Sequence, residues 1–268
     1  MVSIKLKNYQ TLDIQIKDPG STDAFFIFGL HKCGSTLMNQ VFVDVCCSVG
    51  ISSISIPEVA FKQGIPTELW ETNDELNSVI QDGYCYRGFR HYPDFLEKNK
   101  LINERKKILL VRDPRDAIVS AYFSFAKSHR LPKSGQLLED MVKSRQVLQS
   151  VAIEDYTLSR ASKVKEAFNK YNQYLTKDSL LKIYRYEDII FNKFEWIKSM
   201  SSFLNLSLED RKIHKIAQNN DIIPDKEDVE QHIRKAKPGD HKEKLSSECI
   251  SKLNEILVDI LERYNYND

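Results

Sequence analysis

The sequence predicts an α/β fold, a mostly parallel sheet covered by helices on both faces. Three observations predict it. The short apolar runs at 24–28 (AFFIF) and 107–111 (KILLV) lack the polar alternation of half-exposed strands, so they read as strands buried on both sides. Apolar residues recur at helical spacing in the segments between such runs. Strand and helix signals alternate along the chain, the order expected of a parallel sheet between helices.

The strand at 24–28 leads into a loop, GLHKCGST (Gly29 to Thr36), and then a helix from Ser35 to about Cys47 with Leu37, Met38, Val41, Phe42 and Val45 as its stripe. Ile51 to Ile56 is a weaker strand and Tyr84 to Phe89 another, after which His91-Tyr92-Pro93 turns the chain. Beyond the 107–111 strand, Asp113 is a good N-cap and Pro114 suits the first helical position. Ala117, Ile118, Ala121, Tyr122 and Phe125 make that helix's apolar face. Residues 136–175 read as helix with one or two breaks, and Leu180 to Arg185 as a strand. Helices follow at 191–204 and 207–218, separated by Asn205. The stretch 221–244 is polar and irregular, and a last helix from Ser246 to Tyr264 carries Leu253, Ile256, Leu257 and Ile260 on one face. No repeat, low-complexity stretch or linker interrupts the 268 residues, which predicts one domain over 1–268.

Hydrophobic residues make up 41%, enough to fill a core. Lys plus Arg is 39 against 38 for Asp plus Glu, a net charge of +1, which excludes a general nucleic-acid binder and makes any anion site local. The five cysteines show neither CxxC nor metal-finger spacing, so a disulfide scaffold and a structural zinc site are poor readings. There is no apolar run of about 18 residues for a membrane span. The N-terminal residues lack the apolar core of a signal peptide. A soluble, cytoplasmic protein is expected.

Two strand ends carry anion-binding chemistry. A helix N-terminus presents unpaired amides and a partial positive charge. At the first, Gly34 lets the backbone approach closely, Ser35 and Thr36 add hydroxyls, and Lys32 adds a full charge. Lysine precedes the glycine here, whereas nucleotide triphosphatases use GxxxxGK[ST]. At the second, Arg112 leaves its strand where ligands bind in open α/β sheets, and its guanidinium can grip a phosphate with two donors. Ser120, eight residues on, lies about two helical turns away and shares that face. Arg115 and Asp116 read as part of a surface salt-bridge cluster around the capped helix.

Lys32-Cys33-Gly34-Ser35-Thr36 and RDPRDAIVSAYFSF (Arg112 to Phe125) together resemble the motif pair of sulfotransferases that use 3′-phosphoadenosine 5′-phosphosulfate (PAPS). Tyr186-Glu187-Asp188 is similar to that family's YED element, and RKAKPGD (Arg234 to Asp240) resembles its RKGxxGDxK segment. The resemblance implies a three-layer α/β/α fold with a P-loop-like phosphate site. It implies that Lys32, Cys33, Gly34, Ser35, Thr36 and Leu37 wrap the 5′-phosphosulfate. Arg112, Ser120, Arg234 and Lys235 would hold the 3′-phosphate, and Tyr186 would help seat the adenine. Lys32 would be the catalytic cation.

His91, in a His-x-Pro segment similar to the one that carries the family's catalytic histidine, is the candidate base, with Glu58 its rival. Phe89 or Arg90 takes the base's place if the register shifts. Leu37, Ala236 and His241 stand where the family commonly has an aromatic residue, a glycine and a tryptophan. His129, His214, His232 and His241 read as solvated.

The expected activity is transfer of the sulfuryl group from PAPS to a hydroxyl or amine of a small molecule, lipid or glycan, leaving 3′-phosphoadenosine 5′-phosphate (PAP) and needing no metal. A small-molecule kinase with an atypical phosphate loop and a non-catalytic nucleotide-binding relative are the alternatives. Expected partners are PAPS and a small-molecule acceptor, with neither nucleic acid nor a membrane span. Oligomeric state is left open. Residues 51–84, 127–153 and 220–233, together with Phe125 and including Phe61 and Trp70, are expected to wall the acceptor pocket.

Overall fold

The computed structural model describes residues 1–175, 178–224, 226–231 and 234–266. Strands β1 (Val2–Lys5) and β2 (Thr11–Ile14) form an antiparallel hairpin. The main sheet contains β3 (Phe25–Gly29), β4 (Ser52–Ile54), β5 (Tyr84–Phe89), β6 (Lys106–Val111) and β7 (Leu181–Arg185), ordered β4-β5-β3-β6-β7. Every neighbouring pair in it is parallel.

The helices are α1 (Ser35–Val49), α2 (Ile56–Lys62), α3 (Thr67–Trp70), α4 (Lys100–Glu104), α5 (Pro114–Phe123) and α6 (Gln136–Leu148). They continue with α7 (Ile153–Tyr174), α8 (Tyr186–Ile189), α9 (Lys193–Phe203), α10 (Asp210–Asn219), α11 (Asp240–Lys244) and α12 (Ser247–Arg263). Single π- or 3₁₀-turns join several of them.

The apolar run of β3 shows how the layers form. Phe25 and Ile27 pack into one core with α1, α9 and α10, while Phe26 and Phe28 pack into the other with α5, α7 and α12. A strand covered on both faces has no polar side, hence the unbroken run; each such side chain contributes about 1.5–3 kcal/mol on burial. Three layers result, as the resemblance implied. Asp113 caps α5 by accepting from the Arg115 amide, and Pro114 occupies its first turn. The polar stretch at 221–244 contains a helix the sequence did not signal, α11, and the β1–β2 hairpin also went unread.

Strand order positions the site. Register pairs Gly29 of β3 with Leu110 of β6, and Phe28 of β3 with Phe89 of β5. The loop after β3 therefore emerges between Arg90, just past β5, and Arg112, just past β6. Val111 pairs with Arg185, so Tyr186 opens α8 beside Arg112. The chain leaves β3 toward one sheet edge and β6 toward the other, the crevice where open α/β sheets bind ligands.

Candidate active site

Four sequence-distant segments meet at Arg112. This side chain is 7% exposed, and its guanidinium donates to the Lys32 carbonyl at 3.2 Å and the Lys237 carbonyl at 3.4 Å. It pairs with Asp116 at 3.5 Å and lies 4.7 Å above the Tyr186 ring. One residue thus joins the β3 loop, the start of α5, the start of α8 and the C-terminal basic segment. Its Nε is buried without an acceptor, an orphan donor of the kind an anionic ligand satisfies.

The β3 loop turns through Lys32, whose φ of 64° is left-handed, and Gly34, whose φ is 82°. A Cβ at Gly34 would stand 2.6 Å from the Tyr186 ring, so both conformation and close packing require glycine there. The α1 N-terminus then begins with no side-chain cap and no acid in its first turn, which leaves its positive end to a ligand. Ser35 is buried, while Thr36 is exposed and Leu37 half-buried at this end. Cys33 is buried, and burial pushes its thiol up to about 12, so it enters the site as backbone and not as a thiolate.

Lys32 is half-buried, and its ammonium has no hydrogen bond or ion pair among the described residues. Desolvation, followed by the charges of Arg90, Arg112 and Arg234, lowers its pKa to about 8. Such crowding of cations with too few carboxylates is unfavourable unless an anion enters.

Arg234 donates to Glu227 and Asp240 and sits 4.4 Å over the Phe123 ring; Lys235 bonds Asp240 at 3.1 Å and also Glu243. Ser120 is half-exposed on α5. The basic segment turns at Ala236, which adopts a left-handed φ of 54° where the family pattern has glycine.

Several sequence expectations change. Arg115 and Asp116 are 3% and 0% exposed, not on the surface. Arg115 grips Asp113 and bonds Asn254 and the Tyr266 carbonyl. Asp116 accepts from the Gly239 amide at 2.7 Å and from the amide and Nδ1 of His241 at 2.9 and 2.7 Å. Burial alone would raise the Asp116 pKa, but the His241 bonds and Arg112 hold it well below the usual carboxylate range. The pair clamps the C-terminal segment to α5.

His241 is 2% exposed and so is not solvated. His214 is exposed as expected, stacked 4.0 Å from Phe194, while His232 lies outside the described residues. His129 is half-buried, with its ring 4.9 Å from Phe125. Trp70 is 2% exposed and belongs to the core rather than to a pocket wall. Tyr186 is 6% exposed, wedged against Gly34 and under Arg112; it supports the loop and offers no open face to an adenine.

Both candidate bases have charged neighbours, but His91 Nε2 is buried and makes no hydrogen bond. His91 Nε2 stands 2.7 Å from Glu71, and Glu58 pairs with Lys62 at 2.7 Å and Arg87 at 3.2 Å. Phe89 is buried, its ring 5.4 Å from Phe28. Arg90, next in the chain, has no hydrogen bond or ion pair among the described residues and acts electrostatically on both Lys32 and His31. His31 is the site group the sequence reading passed over, and its signal was adjacency to Lys32. Arg90 was read only as an occupant of the base's place in a shifted register; its position beside the Lys32 loop needed the β5–β3 pairing, which no local pattern reveals.

Among the described residues, no group of three His, Cys, Asp or Glu side chains could hold a metal ion, and no helix is long and apolar enough to cross a membrane.

Residues 22–264 match the family profile of the sulfotransferase domain. The fold is similar to that of mouse sulfotransferase SULT7A1 complexed with PAP, with TM-score 0.60 and 16% identity over 91% of this chain and 85% of that one. It is also similar to retinol dehydratase in a complex with retinol and PAP, with TM-score 0.52 and 15% identity over 89% of this chain and 81% of that one. The same enzyme with androsterone and PAP gives TM-score 0.51 and 15% identity over 89% and 80%. None of the curated proteins matches the chain.

Proposed function

The chain belongs to the sulfotransferase domain family, and from that premise we propose that it moves the sulfuryl group of PAPS to a hydroxyl or amine of a small-molecule, lipid or glycan acceptor. The observation that carries the donor assignment is Arg112, bonded at once to the Lys32 loop and the Lys237 carbonyl beside the basic segment. PAPS has a phosphosulfate at one end of its ribose and a phosphate at the other. Two cationic cradles at adjoining strand ends suit that ligand; ATP has no use for the second.

In this reading Lys32, the first-turn amides of α1 and the Ser35 and Thr36 hydroxyls hold the phosphosulfate. Arg112 with its orphan Nε, Ser120, Arg234 and Lys235 hold the 3′-phosphate. Arg234 and Lys235 turn from Asp240, Glu227 and Glu243 toward the ligand, exchanging one set of charge-assisted bonds for another. Tyr186 supports Arg112 and Gly34.

Sulfuryl transfer proceeds in line: the acceptor's lone pair forms the new bond to sulfur as the bond to the bridging oxygen breaks, and its electron pair stays on the 5′-phosphate. Negative charge grows on that oxygen, so Lys32 stabilises the transition state more than the bound donor. The acceptor approaches from the opposite side, where the β5 end supplies Arg90 and His91 with Glu58 near by. PAP-bound neighbours holding retinol and androsterone support a small hydroxylic acceptor.

Thermal stability with PAP against ATP–Mg²⁺ tests the donor. PAP should raise the melting temperature and ATP–Mg²⁺ should not. The reverse pattern points to a kinase and removes this reading.

A further inference from the structure

Of the two bases suggested by the sequence, Glu58 is held by cations. Lys62 and Arg87 stand 2.7 and 3.2 Å from it; they outweigh its partial burial and lower its pKa, which makes the carboxylate a weaker proton acceptor. His91 is placed differently. Its Nε2 is buried and makes no hydrogen bond, yet a Glu71 carboxylate oxygen stands only 2.7 Å away, off the direction of the N–H bond. The ring is 24% exposed, and with Nε2 covered its accessible nitrogen is Nδ1.

Glu71 has no other ion pair or side-chain hydrogen bond among the described residues. The protein fixes it against the His91 loop at several points. Its carbonyl accepts from the Phe95 amide at 3.0 Å, and its amide donates to the Thr67 carbonyl at the end of α3. Trp70 before it is buried, with its ring 6.2 Å from His91 and 6.5 Å from Phe95. Asn73 beyond it donates to the Lys5 carbonyl of β1 at 2.8 Å, so the N-terminal hairpin braces the same segment. A carboxylate held by its backbone beside a single imidazole can orient that ring, keep the proton on the nearer nitrogen and stabilise the imidazolium. Catalytic hydrogen bonds are often poorly aligned before substrate binds and tighten in the complex. A small turn of the ring or the carboxylate would satisfy the buried Nε2.

We propose that Glu71 is a positioning residue for proton transfer: it accepts the Nε2–H of His91 and leaves Nδ1 to take the acceptor's proton. This rests on the PAPS reading above, with His91 as its base. As the acceptor oxygen or nitrogen bonds to sulfur, its proton passes to Nδ1 and the ring becomes imidazolium, balanced by Glu71. The electron pair of the broken S–O bond stays on the 5′-phosphate beside Lys32, and the proton then returns to water. The other titratable groups beside His91 are His31 on the β3 loop and Arg90 before it in the chain. Among the described residues, Glu71 is the one carboxylate paired with the ring.

Nitrogen NMR of the full chain carrying ¹⁵N-histidine, with His91 assigned by its loss in His91→Gln, reads the tautomer at alkaline pH without any acceptor. Hydrogen on Nε2 and a bare Nδ1 are expected; hydrogen on Nδ1 overturns the proposal. Turnover is measured with PAPS and a panel of simple acceptors (a phenol, an aliphatic alcohol and an aliphatic amine). PAP formation is the readout, so transfer to water also counts. His91→Ala should lower kcat by about 10²–10⁴-fold, the contribution of a general base. Glu71→Gln should lower kcat by about 10–10²-fold, part of that contribution, with PAP affinity unchanged. The limb of its pH–rate profile that rises with pH should move to lower pH, because the amide no longer favours the imidazolium. In the His91→Ala chain, Glu71→Gln should cost little further. Wild-type kcat in Glu71→Gln, an unmoved limb, or the same loss with and without His91 overturns the proposal. Absence of PAP binding to the wild-type chain overturns the donor reading as well; retained PAP binding with any of those results overturns this assignment alone.

Discussion

Lys32 carries two costs at once: a left-handed backbone, worth roughly 1–2 kcal/mol for a non-glycine residue, and an ammonium among cations. Both are explained by a ligand that needs the charge at that point. Its lowered pKa has a consequence with a definite sign. The free chain loses the Lys32 charge as pH rises through about 8, so kcat/KM should fall above that pH. A bound anion favours the charged form and raises the pKa, so the fall in kcat should lie at higher pH. PAP binding near pH 8 should therefore take up a proton, measurable by calorimetry in buffers of different ionisation enthalpy. Lys32→Met should abolish that uptake and most turnover while the chain stays folded; uptake that persists would place the titrating group elsewhere.

Arg112 answers to both binding and folding. Arg112→Ala should cost about 2–5 kcal/mol in PAP binding. Because the side chain is buried against Asp116 and two carbonyls, it should also lower the melting temperature. Unchanged PAP affinity in the folded variant would make Arg112 a purely structural clamp.

At the level of elements, what could be read from the sequence was what is local. β3 and β6 were legible to within a residue because strands buried on both faces are continuous apolar runs, and α5 because Asp113 and Pro114 mark its start. The β1–β2 hairpin was missed: its apolar Val2, Ile4, Leu12 and Ile14 alternate with polar residues over only four residues per strand, too short a pattern to stand out. The anion loops at Lys32 and Arg112 were legible as strand–loop–helix junctions. The burial of Arg115, Asp116 and His241 was not, because their partners lie more than a hundred residues away in the chain.

The basic segment offers an element-scale prediction. Ala236 holds a left-handed turn that glycine adopts without strain, so Ala236→Gly should stabilise the chain by about 1 kcal/mol, read in denaturant melts. Gly34→Ala should do the opposite and weaken PAP binding, because its Cβ would displace Tyr186 from beneath Arg112. A well-folded Gly34→Ala chain with normal PAP affinity would show that this packing does not shape the site.

Across the whole molecule, a near-neutral chain concentrates unpaired cations at one end of its sheet. The net charge is +1, yet Lys32 and Arg90 have no ion-pair partner among the described residues, and Arg112 keeps an orphan donor. Strand order makes this possible, since β5, β3 and β6 lie side by side and each delivers one of these groups at its carboxyl end. The PAPS assignment stands on two separate anion cradles for the two ends of one nucleotide. Calorimetry with PAP, adenosine 5′-monophosphate and adenosine 3′-monophosphate measures this directly. PAP should bind more tightly than either monophosphate by about 1.5–3 kcal/mol, and Arg112→Ala should erase its advantage over the 5′-monophosphate. Equal affinity for PAP and the 5′-monophosphate in the wild-type chain would contradict the second cradle, and the PAPS assignment with it.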